Sequence, residues 1–323
     1  MRKLAYILAA SHSGSTLLTM LLGAHPETCT VGELKLNHLG NLDKYRCGCG
    51  EPISSCFLWN EVIKKMKCRG IDFSIENPGT DILKTDNILL QKVLKPLHRG
   101  PFLEMLRDCV LGCIPEWHRH FQAIQKRNRA LIDSLLELHH AKIVIDSSKI
   151  GRRLKFLLKD RDTDVRVVRL IRDGRGVALT YIDPINFADA RDPAKRAGGF
   201  GGNRDKDCHS MRDAAYEWRR SNEEAEAVIA TMPPDKFIEV RYEQLCSNTA
   251  ETLKKVFKFL GVDPEKMVLD FRSVTQHVVG NGMRLDSSSE ITCDERWREH
   301  LTQEQLAEFD IVAGALNRKY GYV

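Results

Sequence analysis

No apolar run in the 323 residues approaches the ~18 needed to cross a bilayer, so no spanning helix is expected. Internal repeats and a clear linker are also missing, and a chain of this length then reads as one α/β domain over 1–323. Excess charge is scarce: Lys plus Arg outnumber Asp plus Glu by 49 to 44. A net +5 permits an anionic ligand but is too weak and dispersed for nucleic acid. The turn around Gly14 lacks both the early glycine and the following lysine of GxxxxGK[ST], which counts against an ATP- or GTP-hydrolysing phosphate loop.

What is present is an ordinary globular composition, 42% apolar and 29% charged. Met1-Arg2-Lys3 ahead of the apolar run 4–10 imitates a secretory leader, but the run is short and leads into a Ser/Gly turn, not a cleavage site. It reads as a buried first strand, and the expected compartment is the cytoplasm. Ten cysteines are spread along the chain, with only Cys47, Cys49 and Cys56 clustered. In a reducing compartment that favours thiols or a metal over disulfides. A structural zinc takes four ligands, so Cys-x-Cys plus one is incomplete unless Cys68 or His38 supplies the fourth. The preferred reading is a cysteine-rich loop capped by Trp59, with no metal.

Along the chain, a β-like run at 4–10 meets a tight loop, Ser11-His12-Ser13-Gly14, and then a buried helix at 15–22. Residues 60–140 look mostly helical, with apolar positions at helical spacing over 117–138. A strand at 142–145 ends in Asp146-Ser147-Ser148-Lys149, a basic helix covers 152–160, and a strand at 165–171 ends at Arg172 before the next helix. Alternating strands and helices predict a parallel sheet, whose ligands gather at the carboxyl ends of its strands. The loops 11–14, 146–149 and 172–174 all belong to that edge. Residues 183–210 read as a long irregular loop, followed by a helix at 211–231, a strand at 236–240, a helix at 249–260 and a final helix near 302–319.

Two motifs carry chemistry. In SHSGSTLL (11–18), Gly14 lets backbone approach a phosphate, the amides at the helix start point at it, and Ser13, Ser15 and Thr16 add hydroxyl donors. In VVRLIRDGRGVALTYI (167–182), Arg172 at a strand end and Thr180 eight residues later are read as reaching one phosphate from two sides, the guanidinium fork binding it bidentately.

Together these motifs resemble the two phosphate-binding signatures of the PAPS-dependent sulfotransferases (PAPS, 3′-phosphoadenosine 5′-phosphosulfate). The resemblance extends to IDSSK, the helix containing Tyr216-Glu217-Trp218-Arg219, the segment Arg241 to Val262 and the late Gly280-Asn281-Gly282-Met283-Arg284, all similar to bacterial and tyrosylprotein-type members. It implies a P-loop-like three-layer fold, a central parallel sheet flanked by helices with a helical insertion at about 60–140, and a reaction needing no metal. It also implies that Ser13, Gly14, Ser15 and Thr16 hold the 5′-phosphosulfate and Arg172 and Thr180 the 3′-phosphate. Ser11, His12, Leu17, Tyr242, Gly280, Asn281 and Arg284 complete the implied donor set.

One departure is visible. His12 stands where the family usually has Lys or Arg to bond the bridging oxygen, so either a protonated His12 or Lys149 is expected in that role. Glu33 is the implied base, because related members carry a carboxylate in a similar Gly-Glu segment; Asp146 is the alternate. Trp117, Phe121, Phe187 and Phe200 are candidates for an acceptor pocket, with core packing favoured for the first two. The expected activity is sulfuryl transfer from PAPS to a small-molecule, carbohydrate or peptide acceptor, giving PAP. A metal-dependent ATP kinase and an inactive nucleotide-binding protein of the same fold are the alternatives.

Overall fold

Residues 1–37, 39–94, 100–190, 192–199 and 208–323 are described by the computed structural model. Five strands, β1 (Arg2–Ala9), β2 (Thr28–Thr30), β3 (Ile143–Lys149), β4 (Thr163–Ile171) and β5 (Phe237–Arg241), form one parallel sheet in the order β2-β3-β1-β4-β5. Helices follow as α1 (Ser15–Gly23), α2 (Phe57–Cys68), α3 (Ile88–Leu94), α4 (Gly100–Gly112), α5 (Pro115–His139), α6 (Gly151–Leu157), α7 (Gly174–Ile182), α8 (Pro184–Phe187), α9 (Met211–Ile229), α10 (Tyr242–Ser247) and α11 (Thr249–Leu260), with shorter helical pieces over 297–319.

The strands are apolar on both faces because both faces are covered. Leu4, Tyr6 and Leu8 of β1 pack with Leu131 and Leu135 of α5, Phe156 of α6 and Val228 of α9. Ala5 and Ile7, pointing the other way, pack with Leu18 and Leu22 of α1 and Leu253 and Phe257 of α11. The result is the three-layer arrangement with a central parallel sheet that the sequence predicts.

Three local departures have physical reasons. Residues 69–87 are turn and coil where helix was expected: Pro78 resists helix, and Gly70 and Gly79 take left-handed backbone. The Asp146-Ser147-Ser148-Lys149 segment is strand, not loop, because β1 pairs along one side and residues 32–35 bond the other. One extra residue bulges β3, since Tyr6 lies opposite Asp146 and Leu8 opposite Lys149. The segment 183–210 holds α8 and two short turns, Pro193–Lys195 and Ala197–Gly199; its stretch 200–207, Phe200 included, lies outside the described residues.

Candidate active site

A parallel sheet sends every strand's carboxyl end to one edge. Here that edge carries Gly32-Glu33 after β2, Lys149 at the end of β3, the 10–14 turn after β1, Arg172 after β4 and Tyr242 after β5. β1 sits at the centre, so its turn lies between the Lys149 side and the Arg172 side.

The turn is tight. Gly14 caps α1 in a left-handed conformation (φ 85°), and a Cβ there would lie 2.5 Å from the Tyr242 ring. His12 and Lys149 adopt left-handed backbone at φ 62° and 68°, which costs a non-glycine residue on the order of 1 kcal/mol or more and tends to collect at functional sites. Ser13 is buried, and its hydroxyl has no hydrogen-bond partner among the described residues. An orphaned buried hydroxyl in a glycine turn at a helix start suits an anion ligand. Ser15 is buried, Thr16 and Ser11 are half-buried, and Leu17 packs its side chain in the core, leaving only its amide to serve a ligand.

Arg172 reaches this turn directly. Its Nη1 donates to the His12 carbonyl at 2.8 Å, its Nη2 to the Asp294 carbonyl at 2.8 Å, and Nη2 pairs with Asp294 Oδ2 at 3.1 Å. The guanidinium stacks on Tyr242, 4.6 Å from the ring centroid, so one tyrosine touches both Gly14 and Arg172. Burial pushes the Asp294 carboxyl up, but Arg296 and Arg172 outweigh it and hold it at about 2. Asp294 was missed in the sequence, where the segment 270–301 shows little pattern. His12 meets the Tyr181 ring edge-on at 4.9 Å between centroids.

On the other side, Lys149 Nζ donates to Glu33 Oε1 at 2.6 Å and Lys35 Nζ pairs with Oε2 at 3.0 Å. Burial alone would raise the Glu33 carboxyl; the two ammonium groups overcome it and bring it down to about 2. The Glu33 loop is pinned to β3: Ser147 N donates to the Gly32 carbonyl (3.0 Å), Leu34 N to Asp146 Oδ1 (3.0 Å) and Lys35 N to Ser148 Oγ (3.2 Å).

Several residues singled out from sequence have their polar atoms engaged inside the fold. Asp146, the alternate base, is fully buried, accepts from the Leu34 and Ser148 amides and pairs with buried Arg153 at 3.4 Å, so its carboxylate is engaged in holding the Glu33 loop. Thr180 is buried and donates to the Gly176 carbonyl one turn back at 3.0 Å, not toward Arg172. Arg284 is 1% exposed, donates to the carbonyls of Gly280, Asn281 and Arg46, and stacks on Tyr45 at 4.8 Å. Asn281 bonds the Ala188 carbonyl and the Met283 amide, and Gly280 exchanges hydrogen bonds with the Tyr45 hydroxyl. Trp117 and Phe121 stack on each other and meet Phe156 at tilted and edge-on angles, which is core packing. A cavity of about 540 Å³ lies beside α7, lined by Phe187, His209 and His300 among others, and it contains none of the turn residues.

Residues 163–266, from β4 through α11, match the sequence profile of the sulfotransferase family. Carbohydrate sulfotransferase 2 of Mus musculus is 25% identical over 211 residues, 56% of this chain and 37% of that protein, so the match spans little more than a third of the relative. The sulfotransferase domain from the curacin biosynthetic pathway superposes with a TM-score of 0.50 at 16% identity, covering 100% of this chain and 99% of that one. The sulfotransferase domain of the Synechococcus PCC 7002 olefin synthase gives 0.48 at 18%, covering 100% and 95%. Residues 163–266 thus carry the sulfotransferase profile, and the superposition on the curacin-pathway domain gives the chain the sulfotransferase fold.

Proposed function

We propose that this chain transfers a sulfuryl group from PAPS to a hydroxyl or amine of a small-molecule, carbohydrate or peptide acceptor. The observation that carries the reading is the Gly14–Tyr242–Arg172 contact, which joins an orphaned serine hydroxyl in a lysine-free glycine turn to an arginine at the next strand end. The 25% identical relative, named as a carbohydrate sulfotransferase, supports a carbohydrate hydroxyl among the acceptors.

In this reading the turn amides and Ser13 hold the 5′-phosphosulfate, and Arg172 serves the 3′-phosphate. The phosphate takes the place of the Asp294 carboxylate on the guanidinium fork. The acceptor oxygen attacks sulfur in line, the bond from sulfur to the bridging oxygen breaks, and PAP leaves with the bond pair. As in phosphoryl transfer, catalysis is mostly positioning and charge stabilisation. Lys149, freed from Glu33 toward the bridging oxygen, neutralises the leaving phosphate together with His12. Glu33 takes the acceptor proton, and losing Lys149 raises its basicity toward the useful range for a general base. Catalysis needs no metal in this scheme. One domain over 1–323 in a reducing cytoplasm belongs to the same reading, and none of the ten cysteines is in a disulfide.

The test is thermal shift with PAP, ATP and Mg-ATP, paired with labelled-sulfate transfer to an acceptor panel. PAP without metal is expected to stabilise, as any ligand selective for the native state does. Preference for Mg-ATP overturns the reading in favour of a kinase. A PAP response without transfer to any acceptor overturns the enzyme assignment in favour of a binding protein.

A further inference from the structure

Far from the sheet edge in sequence, Cys47, Cys49 and Cys56 meet His277, and their four donor atoms lie within 4.8 Å of one another. Among the described residues the fourth partner is His277 and not Cys68, which is exposed at the end of α2; His38 lies outside the described residues. Cys49 Sγ is 3.8 Å from Cys56 Sγ, and His277 Nδ1 is 3.7 Å from Cys47 Sγ and 3.2 Å from Cys56 Sγ. A tetrahedral zinc with Zn–S of ~2.3 Å and Zn–N of ~2.0–2.1 Å has S···S edges of roughly 3.8 Å and S···N edges of roughly 3.5 Å. A disulfide requires ~2.05 Å between sulfurs and would leave a third thiol and the imidazole unused.

We infer that Cys47, Cys49, Cys56 and His277 bind one structural zinc ion. Four protein ligands close the coordination shell, so the ion has no open position for water or substrate and serves the fold rather than the chemistry. The surroundings are built for it. Arg46 pairs with Pro52 across the loop, and Gly50 turns it at φ 92°. Gly48 N donates to the Val278 carbonyl at 3.0 Å, and a Cβ on Gly48 would come within 2.7 Å of the Gln276 carbonyl, so only glycine lets the two segments approach. By themselves the three cysteines are an incomplete ligand set; His277, more than 200 residues away, completes it.

The zinc joins two segments that both lead to the candidate site. Beyond His277, Val279 bonds the Val31 carbonyl at 2.9 Å beside Gly32 and Glu33, and Gly280 to Arg284 packs on Tyr45 and Arg46. The site thus anchors the 276–280 segment to the 47–56 loop, and that segment in turn bonds the backbone just before Gly32 and Glu33. This inference stands whether or not the chain uses PAPS.

The experiment is elemental analysis of full-length protein purified without added metal or chelator, with cobalt replacing the metal in a second preparation. Expected are about one zinc per chain and, for cobalt, the strong visible bands of a tetrahedral site with thiolate-to-cobalt charge transfer in the near ultraviolet. His277→Ala and Cys56→Ser are expected to lose most of the zinc, while Cys68→Ser keeps it. Should the first two fail to fold, the wild-type cobalt spectrum decides. Wild type that lacks zinc and takes up no cobalt, a cobalt spectrum without thiolate charge transfer, full zinc in folded His277→Ala, or a Cys49–Cys56 disulfide in the non-reduced peptide map each overturns the assignment.

Discussion

Ser13 sits buried in the glycine turn ahead of α1. Its buried hydroxyl lacks a partner, a condition that costs about 1–3 kcal/mol unless something fills it. Ser13→Ala is therefore expected to leave thermal stability unchanged or raised without ligand and to weaken PAP binding, which calorimetry and thermal melts on one preparation will separate. Glu33 gives a pH prediction. Its folded carboxyl lies at about 2, below the ordinary carboxylate value, so its contribution to stability is complete above that ordinary value and disappears as pH falls through about 2. Denaturant melts should show wild type more stable than Glu33→Gln near neutrality, with the gap closing between about pH 5 and pH 2. The same variant should lose turnover while PAP affinity stays near the parent value; full activity would remove Glu33 as base.

Among the elements, β3 carries the most consequence for its length. The stretch Asp146-Ser147-Ser148-Lys149 continues the strand and binds the Glu33 loop from the side, so the proposed base and its lysine are placed by one ladder. Asp146 and Arg153 are fully buried, and Arg153 also donates to the Thr80 carbonyl and Asn128 Oδ1. Removing one partner of a buried pair leaves the other charge uncompensated. Asp146→Ala is expected to cost on the order of 3–5 kcal/mol in urea or thermal unfolding, and Asp146→Asn less because its carbonyl still accepts from the Leu34 amide. An Asp146→Ala protein of parent stability would show that the pair supports nothing.

At the scale of the whole molecule, the candidate site exists only because β1, β4 and β5 lie side by side and Asp294 is brought back from the far end of the chain. Arg172→Ala should weaken PAP binding by on the order of 2–5 kcal/mol, as truncation of a buried charge pair does. Asp294→Asn should act in the opposite direction, tightening PAP severalfold by removing the carboxylate that competes with the phosphate for Arg172 Nη2. Titration calorimetry on both variants checks the pair, and unchanged affinity in Arg172→Ala removes that residue from the donor site.

How much of this was legible follows from the range of each interaction. The strand, glycine turn and buried helix over 2–23, the strand ending at Arg172 and the parallel sheet were all readable, because period, turn chemistry and apolar runs are local signals. Which polar atoms remain available was not readable. Thr180 turns its hydroxyl into its own helix, Arg284 buries its guanidinium among carbonyls, Asp146 becomes a support, and Asp294 and His277 arrive from segments with no pattern of their own. Residue type and spacing decide what a side chain can bind. Only packing decides which partners reach it first: Thr180 and Arg284 meet carbonyls three or four residues back, Asp294 and His277 meet partners more than a hundred residues away, and neither outcome leaves a periodic trace in the chain.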